Sequence, residues 1–346
     1  MLSNEEIELL RKELETAKNP LFLYDADGDG LASFLLLYRK YKKGQGHIVK
    51  ATNKISVNQY RKVKEYEPDK IFVLDIPLMD QEFVDLANRP IFWIDHHHPQ
   101  KVEHVHYFNP QIKEQGIYLP TTRMVYQVVD SLEDLWIAII GCLADWYLPV
   151  DLVPIFMEQY PDFVIKKIDL VHLIYYSKLE ELVKMLFFFL KGKTSDVHQC
   201  IKVLTRIKSP LEILNQETSQ GKFLHKSFSD FNHNYQILLK QAKKSIGRKR
   251  LFIFNYNEHK FSFTTELSNE LSARYPQKVL IICRKINGEY KCSVRAKITI
   301  NKALEKALVG IDGYGGGHPQ ACGAVIKEQD WEKFIENFER ELKDVK

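Results

Sequence analysis

In the segment Leu21-Phe-Leu-Tyr-Asp25-Ala-Asp27-Gly-Asp29-Gly-Leu-Ala-Ser33, four apolar residues run directly into three alternating aspartates separated by small residues. The apolar quartet reads as the end of a buried strand. The glycines fall where the backbone must turn before a second apolar run, Leu31 to Tyr41, which reads as a helix. Carboxylates crowded in this way repel one another unless a cation neutralises them. Hard oxygen ligands at the carboxyl end of a strand therefore suggest a divalent metal site in an α/β domain.

Two other readings of this loop are available. Asp25-x-Asp27-x-Asp29-Gly30 reproduces the opening of an EF-hand, but the twelfth position, which should carry a bidentate Glu, is Leu36, and a strand precedes the loop where a helix should. A strand-to-helix turn with an aspartate N-cap needs one Asp and leaves the other two unexplained.

The same design recurs downstream. Ile71-Phe-Val-Leu runs into Asp75, and Ile91-Phe-Trp-Ile runs into Asp95-His96-His97-His98-Pro99. Three short apolar runs ending in Asp and separated by helical patterns predict a parallel, doubly wound sheet with its function at the carboxyl edge. Residues 120–130 read as a helix capped by Thr121 or Thr122, and 137–149 as an apolar helix carrying Asp145 near its end. A buried carboxylate is costly without donors or a cation, so Asp145 should have one or the other beside it.

At 346 residues, with 45% hydrophobic and 27% charged residues, the composition is that of a globular protein of two domains. A net charge of +4 is too small to argue for nucleic acid by itself. The five cysteines are odd in number and widely spaced, which favours reduced, buried thiols in a cytoplasmic protein over disulfides or zinc. The N-terminus reads as a helix over 3–18 opened by a Ser3/Glu6 capping box and not as a signal peptide; no apolar run is long enough for a membrane span.

Further elements follow from periodicity: helices over 31–43 and 57–66 and a weak strand over 47–51. From 160 to 245 the pattern is helical, and the basic run 240–250 reads as a solvated domain junction. Strands are expected at 251–256, 260–264, 279–284 and 290–295, with Asn287-Gly288 as a hairpin turn between the last two. A helix at 301–308 leads into Gly313-Tyr-Gly315-Gly316-Gly317-His318, whose glycines let backbone approach a phosphate closely, with a tight turn as the alternative, and a final strand and an amphipathic helix over 329–343 close the chain. His104 and His106 alternate on an expected strand, so one or both face solvent.

Taken in order, the Asp-x-Asp-x-Asp, the lone strand-terminal Asp75, the Asp-His-His, the helical Asp145 and the Gly-Gly-Gly-His resemble the DHH phosphoesterase superfamily with a DHHA1 domain, over about 20–326. The first motif resembles the RecJ branch, with Leu23 at the position of the upstream His found in other members and Asp25 replacing it. The resemblance implies an α/β DHH domain over 1–190, a helical connector over 191–245 and a smaller α/β DHHA1 domain with a mixed sheet over 246–346. It implies that Asp25, Asp27 and Asp75 hold one metal, that Asp29, Asp75, His96 and Asp145 hold another, and that His97 faces the substrate phosphate. By the same token Arg295, Gly315, Gly316, Gly317 and His318 would bind substrate. Arg123 at a helix start is a further candidate for a phosphate contact, and Tyr314 for base stacking. A mixed carboxylate and imidazole shell suits two Mn²⁺ ions, with Mg²⁺ as the alternative, better than zinc. Two such ions roughly 3.5–4 Å apart would activate a hydroxide for in-line attack.

The function so implied is that of a hydrolase, a RecJ-like exonuclease releasing mononucleotides from single-stranded DNA or RNA, its site lying between the domains and its partners including replication or repair proteins. The alternatives are a small-substrate phosphoesterase (nanoRNase, 3'-phosphoadenosine 5'-phosphate phosphatase or cyclic-dinucleotide phosphodiesterase) and an inactive scaffold of a replication complex.

Overall fold

The computed structural model describes residues 1–50, 54–163, 165–257 and 261–343. The chain divides into two compact units, Met1–Phe228 and Ser229–Lys346. The first contains strands β1 (Leu21–Asp25), β2 (Gln45–Val49), β3 (Lys54–Ile55), β4 (Ile71–Leu74), β5 (Leu78–Met79), β6 (Ile91–Ile94) and β7 (His106–Phe108). Its helices are α1 (Asn4–Thr16), α2 (Gly28–Tyr41), α3 (Val57–Tyr66), α4 (Gln81–Ala87), α5 (Pro110–Lys113), α6 (Thr121–Val129) and α7 (Leu135–Ala144). They are followed by α8 (Val153–Gln159), α9 (Leu170–Tyr175), α10 (Leu179–Phe189), α11 (Thr194–Leu204) and α12 (Pro210–Leu214), and the division falls within α13 (Ser219–Ser245).

The main sheet is parallel, in the order β2-β1-β4-β6-β7, as the three apolar runs predict. Both of its faces are buried, which is why the strands read as unbroken apolar runs. Phe22, Phe72, Phe92 and His106 are partners in register and stack across four strands on one face. On the other, Leu23, Val73 and Trp93 pack with Val63 of α3 and Phe83 of α4. The same register sets the level at which strands end. Tyr24 pairs with Leu74 and Leu74 with Ile94, so Asp25, Asp75 and Asp95 emerge side by side at the carboxyl edge.

Glycines let the helices close over that edge. A Cβ on Gly28 would lie 2.5 Å from Ala144 Cβ, and one on Gly141 would lie 2.4 Å from Ala32 Cβ and 2.6 Å from Thr122 Oγ1. Neither position can carry a side chain without moving a neighbour. The start of α2 is thereby held against the end of α7, bringing Asp29 near Asp145 although more than a hundred residues separate them.

The second unit has β8 (Leu251–Tyr256), α14 (Thr264–Arg274), β9 (Val279–Ile286), β10 (Glu289–Arg295), α15 (Asn301–Ala307), β11 (Gly313–His318), β12 (Ala321–Lys327) and α16 (Trp331–Leu342). Its mixed sheet runs β11-β12-β10-β9-β8, with only β8 and β9 parallel. One face buries Ile281, Val294, Cys322 and Ile326 against Leu304, Phe334 and Phe338.

Three expectations need correction. Of the strand expected at 260–264, residue 260 lies outside the described residues, 261–263 are irregular and Thr264 already opens α14; residue 51, the end of the strand expected at 47–51, also lies outside them. His104 precedes β7 instead of alternating with His106 on it. The glycine run forms the edge strand β11, which excludes the tight turn that is its alternative reading. Cys283 and Cys292, expected as free thiols, face each other in register across the β9–β10 hairpin and form a disulfide, whereas Cys142, Cys200 and Cys322 are free and buried. The Asn287-Gly288 turn has positive φ at both residues, as a two-residue hairpin loop requires. Among the described residues no helix is long and apolar enough to cross a membrane.

Candidate functional site

The carboxyl edge of the parallel sheet gathers the acids. Asp25 ends β1, is buried, and accepts from the backbone N–H of Ala26 at 2.7 Å. Burial, then the charge of Asp27, pushes its carboxyl up to about 7. Asp27 caps α2, its Oδ1 accepting from the Gly30 N–H at 2.9 Å. Gly30 is obligatory there, since a Cβ would lie 2.7 Å from the Asp25 carbonyl.

Asp29 is 1% exposed, and its two oxygens accept from the backbone N–H groups of Thr121 (2.8 Å) and Thr122 (2.6 Å). These are orphan donors of the first turn of α6. The cap of α6 is therefore neither threonine's hydroxyl, as expected, but the carboxylate of Asp29 reaching from α2; the N-cap residue is Pro120, with no side-chain cap bond. Despite these bonds, burial and Asp27 push Asp29 up to about 7.

Asp75 follows β4 with φ +62°, a left-handed conformation uncommon outside glycine, asparagine and aspartate. It is 1% exposed, with Thr121 Oγ1 3.3 Å from its Oδ1. Burial drives its carboxyl well above the usual range, and the charges that push it furthest are carboxylates, with Asp29 first.

His96 Nε2 lies 3.3 Å from Asp75 Oδ1 and 3.6 Å from Asp145 Oδ2. Burial and the neighbouring His97 hold its pKa down to about 4, so its ring is the neutral, ligating form. Asp145 follows α7 and accepts from the Tyr118 hydroxyl at 2.6 Å. Burial, then Asp29, pushes it up to about 9.

His97 differs from His96. Its Nδ1 lies 2.7 Å from Oδ1 of Asp95, which is wholly buried and also takes Tyr107 Oη at 3.1 Å and the His97 N–H at 3.2 Å. Burial pulls the imidazole pKa down, but the hydrogen bond and charge of Asp95 outweigh it and the net shift is upward. His98 is exposed, with its ring against the Pro99 carbonyl.

Three overlapping groups have ligand atoms within 4.8 Å of one another: Asp25, Asp27 and Asp75; Asp29, His96 and Asp145; and Asp75, His96 and His97. The structure thus brings together Asp25, Asp27, Asp29, Asp75, His96, His97 and Asp145. The donor set is oxygen with imidazole and no thiolate, and its buried acids repel one another. Both features fit Mn²⁺ or Mg²⁺, which would neutralise the cluster.

Arg123 is placed elsewhere. It is buried, bonded to Asp151 Oδ2 at 2.5 Å, and lines a separate cavity of about 460 Å³ with Arg11, Asn4 and Gln127.

In the second unit the glycine strand β11 pairs with β12, and directly opposed residues share a face. Lys291, Val325 and Tyr314 form one row, Ser293, Gly323 and Gly316 the next, and Arg295, Ala321 and His318 a third. Cβ atoms on Gly313, Gly315 or Gly317 would sit 2.5, 2.7 or 2.5 Å from β12 carbonyl oxygens, whereas one on Gly316 would meet nothing within 4 Å. Three glycines are demanded by the close pairing, and the fourth leaves an open floor. Tyr314 is 71% exposed beside it. The floor belongs to a cavity of about 420 Å³ edged by the hydroxyls of Ser262, Thr264, Thr265 and Ser293 and by Lys291. Arg295 Nε donates to Asn269 Oδ1 at 2.8 Å, and its Nη1 to the Cys322 carbonyl at 3.2 Å.

The model of the DHH family, N-terminal domain, matches residues 22–145, and that of the DHHA1 domain matches residues 262–344, together more than half of the chain. The chain belongs to the DHH family. The fold of this DHH protein is similar to RecJ in complex with Mn²⁺ from Thermus thermophilus, at TM-score 0.68 and 15% identity, over 97% of this chain and 54% of that one. It therefore spans about half the length of the Thermus protein. It is similar also to an exonuclease RecJ bound to manganese (TM-score 0.63, 16% identity, 97% of this chain and 93% of that chain). A pGpG-specific phosphodiesterase from Vibrio matches at TM-score 0.50 and 14% identity, over 94% of this chain and 100% of that one. No curated protein matches the sequence. At these identities the likeness is one of fold.

Tyr118, Thr121 and Thr122 hold the acids through hydrogen bonds, and Asp95 holds His97. Asp95 had a signal in the sequence as the acid that ends the third apolar run, and Thr121 and Thr122 had one as helix-cap candidates, whereas Tyr118 had none.

Proposed function

We propose that this DHH protein is a metal-dependent phosphodiesterase of the RecJ-like kind, releasing mononucleotides from an end of single-stranded DNA or RNA. One observation carries the reading: Asp25, Asp27, Asp29, Asp75, His96 and Asp145 offer ligand atoms in overlapping groups at one sheet edge, and the charges that act most strongly on Asp75 there are all carboxylates. Asp25, Asp27 and Asp75 would hold one divalent ion, and Asp29, Asp75, His96 and Asp145 the second, Mn²⁺ in preference to Mg²⁺. When bound, such ions lower the pKa of a water nucleophile and neutralise phosphoryl oxygens.

The chain's own groups do the rest. Asp95 fixes the His97 ring through Nδ1, leaving Nε2 to address a substrate phosphate, and favours the protonated imidazole, the form that would donate to a departing oxygen. On the second unit, Lys291, Arg295 and His318 offer cationic or donor groups around a glycine floor, and Tyr314 offers an exposed ring for a base.

A second reading, a small-substrate phosphodiesterase, draws support from the likeness to the pGpG-specific enzyme, which this chain matches along its whole length. Labelled single strands of DNA and RNA incubated with Mn²⁺ separate the two. Long strands shortened to mononucleotides support the exonuclease; cleavage confined to dinucleotides supports the second reading; no hydrolysis of either refutes both and leaves a scaffold for replication or repair proteins.

A further inference from the structure

Every acid of the cluster has a donor that restrains it. For Asp25, Asp27 and Asp29 the donors are backbone N–H groups, and for Asp75 the hydroxyl of Thr121 on α6. Asp145 is restrained differently. Its donor is the phenol of Tyr118, in the irregular segment before α6, with Oη 2.6 Å from Asp145 Oδ2 and 2.6 Å from the Asp145 carbonyl. Asp145 needs such a restraint, because it lies where α7 ends and the next residue, Trp146, takes φ +56°. A hydroxyl lodged between the carboxylate and the carbonyl of one residue ties that side chain to its own backbone. The Tyr118 ring is fixed in turn, meeting His96 edge-on at 5.3 Å and 73°.

The oxygen held by the phenol is the one that faces the other ligands, since Asp145 Oδ2 is also 3.6 Å from His96 Nε2. A carboxylate oxygen has two lone pairs, so it can accept the phenol proton with one and ligate a cation with the other. We infer that Tyr118 is a positioning residue of the metal centre, its hydroxyl setting Asp145 for the ion shared with Asp29 and His96. This inference rests on the metal reading proposed above. It adds that one of the two ions depends on a phenol, whereas the ion of Asp25, Asp27 and Asp75 does not.

Partners of this kind contribute about 10- to 100-fold to metal affinity. The test is a Mn²⁺ titration of metal-stripped protein without substrate, with free Mn²⁺ followed by electron paramagnetic resonance. Wild type, Tyr118→Phe and Asp145→Asn are compared, with the metal-free melting temperature of each. Tyr118→Phe keeps the ring against His96 and removes only the hydroxyl. It should weaken one ion about tenfold, leave the other at wild-type affinity and melt like the wild type without metal. Identical titrations of wild type and Tyr118→Phe would overturn the inference while leaving the metal reading intact, provided Asp145→Asn loses an ion. Equal weakening of both ions together with a lower metal-free melting temperature also overturns it, because Tyr118 is then merely structural. A wild type that takes up no Mn²⁺ overturns the metal reading itself and the inference with it.

Discussion

Neutralising Asp75 should stabilise the metal-free protein and abolish its response to metal, two effects of opposite sign from one atom change. Asp75 is 1% exposed, and its cluster with Asp25 and Asp27 has ligand atoms within 4.8 Å of one another. Two unit charges at that distance repel by about 3.5 kcal/mol at an effective dielectric of about 20. Proton uptake limits the cost, since Asp29 titrates at about 7 and Asp145 at about 9. Burial and its neighbours raise the Asp75 carboxyl well above the usual range, and with one such repulsion removed Asp75→Asn should gain about 3 kcal/mol at pH 8; at about 2–4 °C per kcal/mol the melting temperature should rise by about 6–12 °C. Asparagine is the right replacement because φ at Asp75 is +62°, where alanine would add about 1 kcal/mol of backbone strain. Calorimetry of chelator-treated protein at pH 8, repeated with Mn²⁺, reads both effects: the variant melts higher without metal, and the order reverses with it. A variant that melts below the wild type in the absence of metal would refute the account of the cluster as unneutralised, and an undiminished Mn²⁺ shift would refute Asp75 as a ligand.

Because the carboxyls of Asp25, Asp29, Asp75 and Asp145 are all raised, the folded state holds more protons than the unfolded chain between about pH 4 and 9, so the melting temperature of metal-free protein should fall as pH rises through that window, and Mn²⁺ uptake at pH 7 should release protons measurable in weak buffer. Asp95→Asn removes the charge that raises His97; kcat should drop about 100-fold with KM little changed, and the alkaline limb of the pH profile should move to lower pH. Gly315→Ala should cost about 1–3 kcal/mol, since the added Cβ meets the Gly323 carbonyl at 2.7 Å, whereas Gly316→Ala should leave the melting temperature unchanged and weaken oligonucleotide binding in a fluorescence anisotropy assay.

The strands that carry Asp25, Asp75 and Asp95 were legible because a sheet buried on both faces forces unbroken apolar runs, and parallel order then aligns whatever residue follows each run. Orientation was not legible. Arg123 stands at a helix start facing the expected edge in sequence, yet residues in one turn point in different directions, and it pairs with Asp151 while Thr121 and Thr122 meet Asp29. Roles exercised through hydrogen bonds were silent too: Asp95 could be noticed as an acid but not as the partner of His97, and Tyr118 sits in an irregular segment without periodicity. The glycine run left a turn open as an alternative because glycines in series usually mark turns. Here β12 supplies the partner strand that makes them an edge, information that lies in residues 321–327 and not in the motif. The Cys283–Cys292 pair follows from the hairpin register, which places the two opposite each other however ordinary their spacing looks.

The way Asp29 is held has a consequence for how the protein is assembled. Its carboxylate is held by peptide groups of α6, more than ninety residues away in sequence, that come within reach only once that helix has docked, so this ligand reaches its station as a result of tertiary assembly rather than as its cause. Ion uptake is then a late event in the history of the molecule. Chelated protein should keep its secondary structure and reload on simple mixing, in contrast to small zinc modules that collapse when stripped.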